Sequence, residues 1–562
     1  MRRLLAALVL VMASAACAAA SAPDLIFVKG KLITLDGERP HAEAMAVTRD
    51  RIEAIGANAE IRALAGPHST IVDLDGRTVI PGLIDSHIHA IRAGLTWLTE
   101  VHWIGARSLN EALARLRDAA ERTPPGSWVV VAGGWTERQF AEDRWPTQAE
   151  VMAAAPGHHV YIQLLYSRVL LGKGDDVALG LTTDADLKSR LTFEHDRSGQ
   201  PTGWIAANNR DISRLFDKLP KPDMTQKIAG TKAFFRELNS LGLTGVLDPG
   251  GYNLPIADYS ALFKIYQARQ MTVRVAYNVC APRRGHELED FQALTGVLPN
   301  GLGDDWLRFN GIGENVTWGM YGNEHPTEAD KDALYRVLKW AAARGLRATF
   351  HWHNDASVHH LLDVLARVDH DRPIAPLRWF IAHLNDASVG SLKRMKALGV
   401  GWTMQDAFYF RGEAFLGQRG TEAARHAPPI VTGLRMGVHI GGGTDAHRVM
   451  SYNPFVSLQW MLDGKTVGGI PMRAPEELPT REEALRIYTL GSAWFAGWDR
   501  ERGSLTPGKL ADFAVLDQDY ETVPVARIGE THSLLTVVGG ELVYAAGPYR
   551  RLEQAARPSG GR

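Results

Sequence analysis

Cysteine is nearly absent: Cys17 and Cys280 are the only two in 562 residues. That excludes a disulfide framework and a cysteine-built zinc cluster. Neither sign of charge is in excess, with 62 Lys and Arg against 63 Asp and Glu and a net charge of -1. A chain so balanced exerts no general attraction on a polyanion, which argues against a nucleic-acid partner. Beyond the amino terminus no uninterrupted apolar run reaches the roughly 18 residues of a membrane span, so a soluble mature chain is expected, without stable membrane insertion. What is present is ordinary globular material, 45% hydrophobic and 22% charged with 55 Gly and 28 Pro, and this excludes disordered, collagenous and coiled-coil chains. At roughly 150 residues per domain the length allows three or four domains, or fewer if one is a large α/β barrel.

The first 22 residues, MRRLLAALVLVMASAACAAASA, place Arg2 and Arg3 before an apolar stretch from Leu4 to Ala13 and then small residues around Ala18 to Ala20. This is the pattern of a bacterial export signal. Its apolar core of about ten residues is too short to serve as a membrane anchor. The expectation is a periplasmic protein whose mature chain begins between Ser21 and Pro23. A lipid on Cys17 is the lesser alternative, because Ser14 to Ala16 lacks a branched apolar residue.

Both ends of the remaining chain alternate short β-like runs with turns: "LIFVKGKLITLDG" and "STIVDLDGRTVIPG" near the start, "GSLTPGKLADFAVLDQ" and "LLTVVGGELVYAAG" near the end. One composite β-sandwich domain from residues 23–80 and 503–550 is expected. Between them, apolar runs alternate with amphipathic stretches, and candidate strands centre on Ile84, Val246, Val275, Phe309, Phe350, Ile381, Trp402 and Ile440. Eight strands at this spacing fit an α/β (β/α)8 barrel of the TIM type over residues 81–502. The interval from Ile84 to Val246 is far too long for one unit, which places an insertion at about 93–221 in the first β-to-α connection. Loops at that end of a barrel form its active face, so the insertion is expected to wall the site.

His87 and His89 stand in "PGLIDSHIHA" at the end of the first strand, where residues i and i+2 share a face and both imidazoles can reach one cation. His351 closes "RATFH", His383 closes "RWFIAH" and Asp445 closes "GVHIGGGTD". From His351 to His383 is one barrel unit, and from His383 to Asp445 is two. The five residues therefore converge from strands one, five, six and eight on the carboxyl end of the barrel. That makes a metal site out of residues any one of which, alone, would be read as core or capping. Neutral imidazole nitrogen suits zinc, whose catalytic sites keep one position open for water.

The sequence resembles the metal-dependent amidohydrolase superfamily and, within it, the YtcJ-like group (amidohydrolase family 3). The resemblance is carried by "VIPGLIDSHIHA", "GGWTERQFAEDRWPT", "PTGWIAANN", "FHWHNDASV", "IAHLNDAS", "GGGTDAH" and "GSLTPGKLADFAVLD", which cover nearly the whole mature chain. It implies hydrolysis of a non-peptide carbon–nitrogen bond (amide, N-acyl, formamide or cyclic amide) of a small molecule by metal-activated water. His87, His89 and His351 would be ligands, His383 a ligand or carbonyl polariser, and Asp445 a ligand and proton shuttle. Ester, lactone or phosphotriester hydrolysis on the same site is the alternative, as is a catalytically silent exported binding protein. One position departs from the group. Where a strand-four lysine followed by Asp-Gly is usual, this chain reads "LRFNGIGENV", with Arg308 at the lysine and Ile312 at the aspartate. Arg stays protonated and cannot form the carbamate that bridges two metals. One divalent ion, zinc by preference, is therefore expected unless Glu314 serves as the bridge.

His353 and His447, two residues past proposed ligands, are read with Arg308 and Glu314 as groups touching the ligands or substrate. Trp135, Trp318, Trp352, Phe408 and Tyr409 are read as packing, Cys280 as a small core residue, and the glycines before Asp445 as room for close backbone approach. A small-molecule substrate is the expected partner; a homo-oligomer is compatible with the sequence without being indicated by it.

Overall fold

The computed structural model describes residues 22–251 and 254–552. The export signal and Cys17 lie outside the described residues, apart from Ala22. Eight parallel strands, β1 (Leu83–Asp85), β2 (Leu243–Asp248), β3 (Arg274–Val279), β4 (Leu307–Ile312), β5 (Arg347–Trp352), β6 (Phe380–His383), β7 (Gly401–Gln405) and β8 (Ile440–Gly443), form one sheet in chain order. Each expected strand centre falls within one of them. The sheet comes round on itself where the Ser86 amide donates to the Gly442 carbonyl at 2.9 Å and the Asp445 amide to the His87 carbonyl at 2.8 Å. Strands buried on both faces must be apolar throughout, which is why "LTGVLD" and "RVAYNV" read as unbroken runs.

In β8 the run is glycine instead, for reasons of space. A Cβ on Gly442 would lie 2.4 Å from the Tyr488 ring, and one on Gly443 would lie 2.8 Å from the His87 amide nitrogen. The glycines let the strand press against the residues that carry the first two histidines.

The chain ends meet in a sandwich. Thr78–Pro81 pairs antiparallel with Phe513–Leu516 at the centre of a six-stranded sheet, and a four-stranded sheet from the amino-terminal segment packs on it. Phe27, Met45, Val72, Phe513 and Val537 form the shared core. Arg274 of β3 ties the sandwich to the barrel: its Nε and Nη2 donate to both Asp512 oxygens at 2.8 and 2.9 Å, with both side chains 2% exposed.

After β1, helix Ala90–Thr96 packs on helix Met224–Ser240, and the chain between them builds a separate five-stranded sheet from Trp128–Val131, His159–Leu164, Arg168–Leu171, Pro201–Ala206 and Thr192–His195. This insert has its own core around Trp103, Trp135 and Ile162. Among the described residues no helix is long and apolar enough to cross a membrane.

Candidate metal centre

The carboxyl ends of β1, β4, β5, β6 and β8 bring His87, His89, Glu314, His351, His383 and Asp445 together. Side chains at the ends of neighbouring parallel strands aim into one mouth, so residues hundreds of positions apart converge without any long loop. The Glu314 carboxylate lies in the middle. Its Oε2 is 3.0 Å from His351 Nδ1, 3.5 Å from His87 Nε2 and 3.7 Å from His383 Nε2, and its Oε1 is 3.6 Å from His89 Nε2. Asp445 Oδ1 stands 3.1 Å from His89 Nε2 and 3.6 Å from His87 Nε2, while Oδ2 is 4.0 Å from His383 Nδ1. His351 Nδ1 and His383 Nε2 are 3.0 Å apart.

His89 is oriented through its ring, and His87 and Asp445 through their backbone amides. His89 Nδ1 bonds the Gly250 carbonyl at 2.9 Å, which fixes its proton on Nδ1 and leaves Nε2 as the lone-pair nitrogen facing the carboxylates. Asp85 accepts from the His87 amide at 3.0 Å and the Thr444 hydroxyl at 2.6 Å. Burial pushes its carboxyl up to about 7, partly offset by those bonds. Asp445 has φ 52°, in the left-handed region, and its backbone N–H donates to the His87 carbonyl.

The site is assembled for cations. Both ring nitrogens of His87 are buried without a hydrogen-bond partner, and histidine and carboxylate atoms crowd within 4.8 Å of one another. A divalent ion would take the lone pair of one of these nitrogens. Burial, with His351 adding to it, pushes His383 down to about 4, the neutral form a ligand requires. Burial would raise the Glu314 carboxyl, but His351 and His383 hold it well below the usual carboxylate range; His87 and His89 do the same for Asp445.

Two positions correct the sequence reading. Arg308 sits at the amino-terminal end of β4 beside Asp305, 3.4 Å away, and not at the site. Six residues separate it from Glu314, roughly 20 Å at the rise of a strand. His447 does not line the cavity either: the turn at Asp445 sends it toward the insert, where Nε2 meets Glu100 Oε2 at 2.5 Å. His353 does reach the cavity, its ring stacked on His383 with centroids 4.6 Å apart. Trp135, Trp352 and Phe408 are buried in cores, and neither Trp318 nor Tyr409 lines the cavity. Cys280 lies behind the site with its thiol on the Gly313 carbonyl at 3.0 Å, pushed up to about 12 by burial.

The sequence reading missed Tyr321, whose ring stacks on His351 at 4.3 Å and whose hydroxyl donates to Glu314 Oε1 at 3.3 Å. It also missed Arg92, Tyr166, Asn209 and Arg411, which wall the cavity. Arg92 follows the HxH motif closely enough to have been suspected. The other three come from the insert and from the helix after β7, and nothing local marks them.

A TIM-type barrel with histidines and carboxylates at its carboxyl rim defines a metal-dependent hydrolase class. The match to the amidohydrolase family over residues 70–544 is more specific, and the chain belongs to that family. It is 24% identical to the N-substituted formamide deformylase of Arthrobacter pascens over 93% of this chain and 98% of that protein. It is 22% identical to the putative amidohydrolase YtcJ of Bacillus subtilis over 92% and 98%. Among solved structures, an uncharacterized metal-dependent hydrolase from Pyrococcus horikoshii shares the fold with a TM-score of 0.63 at 18% identity, over 89% of this chain and 99% of that one. The protein is thus a metal-dependent amidohydrolase acting on carbon–nitrogen bonds other than peptide bonds.

Proposed function

We propose that the protein removes a small acyl group from the nitrogen of a small organic amide, and that it does so with two divalent ions, zinc by preference, with Glu314 between them. The observation that carries this reading is the Glu314 carboxylate, whose Oε2 lies within 3.7 Å of His351, His87 and His383 and whose Oε1 lies 3.6 Å from His89. Two cations a few ångströms apart need an anionic bridge to offset their repulsion. The single-ion expectation rested on the want of such a bridge at Arg308, and Glu314 supplies one from six residues further on. The relative that acts on N-substituted formamides is consistent with a small acyl group.

His87, His89 and Glu314 would hold one ion and His351, His383 and Glu314 the other, with Asp445 beside both. Such ions supply an activated water and polarise the carbonyl. Asp445 is placed to take the proton of the attacking water: Oδ1 is engaged by the histidines, and Oδ2 is the freer oxygen. The same carboxyl then returns the proton to the departing nitrogen. His353, beside His383, is placed to donate a hydrogen bond to the carbonyl oxygen as charge develops.

Elemental analysis of protein purified with excess zinc is the test. Two equivalents per chain are expected, and one in Glu314→Gln; one equivalent in the wild type would return the site to a single ion. A panel of formamides, N-acetyl amines, cyclic amides, lactones and phosphotriesters reads the bond. Turnover confined to the last two would replace amide hydrolysis by ester chemistry on the same residues.

A further inference from the structure

The cavity at the histidines holds about 90 Å3 and adjoins a cleft of about 780 Å3 between the insert and helix Ala407–Arg425. Tyr166, Asn209 and Arg411 line both spaces and so form the neck. Two of these carry unused polar groups. The Tyr166 hydroxyl is buried with no hydrogen-bond partner. The Arg411 side chain, exposed to the cleft, makes no hydrogen bond and no ion pair within 4.0 Å among the described residues, and the charge acting on it is that of Asp445. The charges further out are satisfied by each other: Arg138 pairs with Asp143 at 2.7 Å and Arg168 with Glu194 at 2.8 Å. A guanidinium without a close partner, lining the same neck as an orphaned hydroxyl, is a site for a planar anion, since Arg binds carboxylate through a two-point fork.

The two volumes set the order of groups along the substrate. The inner space accepts a formyl- or acetyl-sized acyl group and no long chain. The outer cleft is walled by Trp145, Leu164, Phe410 and Leu416, which suits an apolar substituent. A carboxylate at the neck then belongs to the carbon bonded to the scissile nitrogen. We propose that the substrate is a short-chain N-acyl amino acid with a large apolar side chain, its carboxylate held by Arg411 and Tyr166. This rests on the amide-hydrolysis reading above. The reaction adds one water across the C–N bond: the acyl carbon gains the oxygen and leaves as formate or acetate, and the nitrogen gains the proton and leaves as the free amino acid.

The test separates the carboxylate site from the chemistry by using ligands that are not hydrolysed. Each enantiomer of N-methylsulfonyl-leucine and its neutral carboxamide are titrated into the metal-loaded protein by calorimetry. For one enantiomer the acid is expected to bind at least about tenfold more tightly than the carboxamide. In Arg411→Met that ratio falls toward the residue left by the metal ions, Arg411→Lys restores part of it, and carboxamide affinity stays within about twofold. Tyr166→Phe lowers the ratio by a smaller factor. Equal affinity of acid and carboxamide in the wild type overturns the proposal, as does a ratio that survives Arg411→Met. Turnover of N-formyl- and N-acetyl-leucine is read separately: a preserved acid preference with no turnover of any amide would refute amide hydrolysis while leaving the carboxylate site standing.

Discussion

At the residue scale, Asp445 joins a strained backbone to a chemical role. Its φ of 52° lies where Asn and Asp are the most tolerated non-glycine residues. Asp445→Asn therefore keeps the turn and removes the proton acceptor alone. Its rate should fall at least about a hundredfold, the lower end for losing a general base, while most of the metal stays bound. His87→Ala should lose the metal itself, because none of its neighbours can supply the missing nitrogen. Turnover and metal content, measured on the same preparations, distinguish the two, and near wild-type turnover in Asp445→Asn would remove it from the proton path.

At the scale of elements, the helix after β1 reaches the barrel through glycine. A Cβ on Gly230 would lie 2.4 Å from the Gly94 carbonyl oxygen, so the two helices touch backbone to backbone. Gly230→Ala is expected to cost about 1 to 3 kcal/mol through overpacking. Gly417, in the helix after β7, has nothing within 4 Å of its would-be Cβ. Gly417→Ala should instead stabilise, by about 0.5 to 1 kcal/mol, because glycine loses more freedom on folding than alanine does. Thermal unfolding of the pair checks the sign of each. A Gly230→Ala protein as stable as the wild type would mean that the helices can separate without cost.

For the whole molecule, the joint between barrel and sandwich is the buried Arg274–Asp512 pair. Removing one partner strands the other's charge in the interior, so Asp512→Ala is expected to cost about 3 to 5 kcal/mol. Burial alone would raise the Asp512 carboxyl, but Arg274 holds it below the usual range. A carboxyl depressed in the folded state contributes stability that is present above its unfolded pKa of about 3.9 and is lost as pH falls through the folded value. The acid limb of unfolding should accordingly flatten in Asp512→Asn, as read by denaturant midpoints from pH 6 downward. We also propose, from the basic, apolar and small-residue order of the first 22 residues, that the protein is exported to the periplasm. Amino-terminal sequencing of the mature product should begin between Ser21 and Pro23; an intact Met1 or a lipid on Cys17 would refute the simple soluble form.

The barrel was legible in the order of residues alone, because strands buried on both faces must be continuous apolar runs and the units between them repeat at a steady interval. The sequence also marked His87, His89, His351, His383 and Asp445, since each closes such a run and a parallel barrel sends all strand ends to one rim. It named Glu314 as a possible bridge but could not place its side chain. That residue lies past the end of β4, where strand alternation no longer says which way a side chain points, and only the assembled barrel sets its carboxylate between four imidazoles. The same limit misplaced His447: counting by twos from Asp445 assumes an extended chain, and the left-handed turn at Asp445 ends it. The neck formed by Tyr166, Asn209 and Arg411 was beyond sequence altogether, because it unites the insert with a helix some two hundred residues later. Local periodicity fixes which residues face a common rim. Which of them then meet depends on distances between elements, and these exist only once the chain has packed.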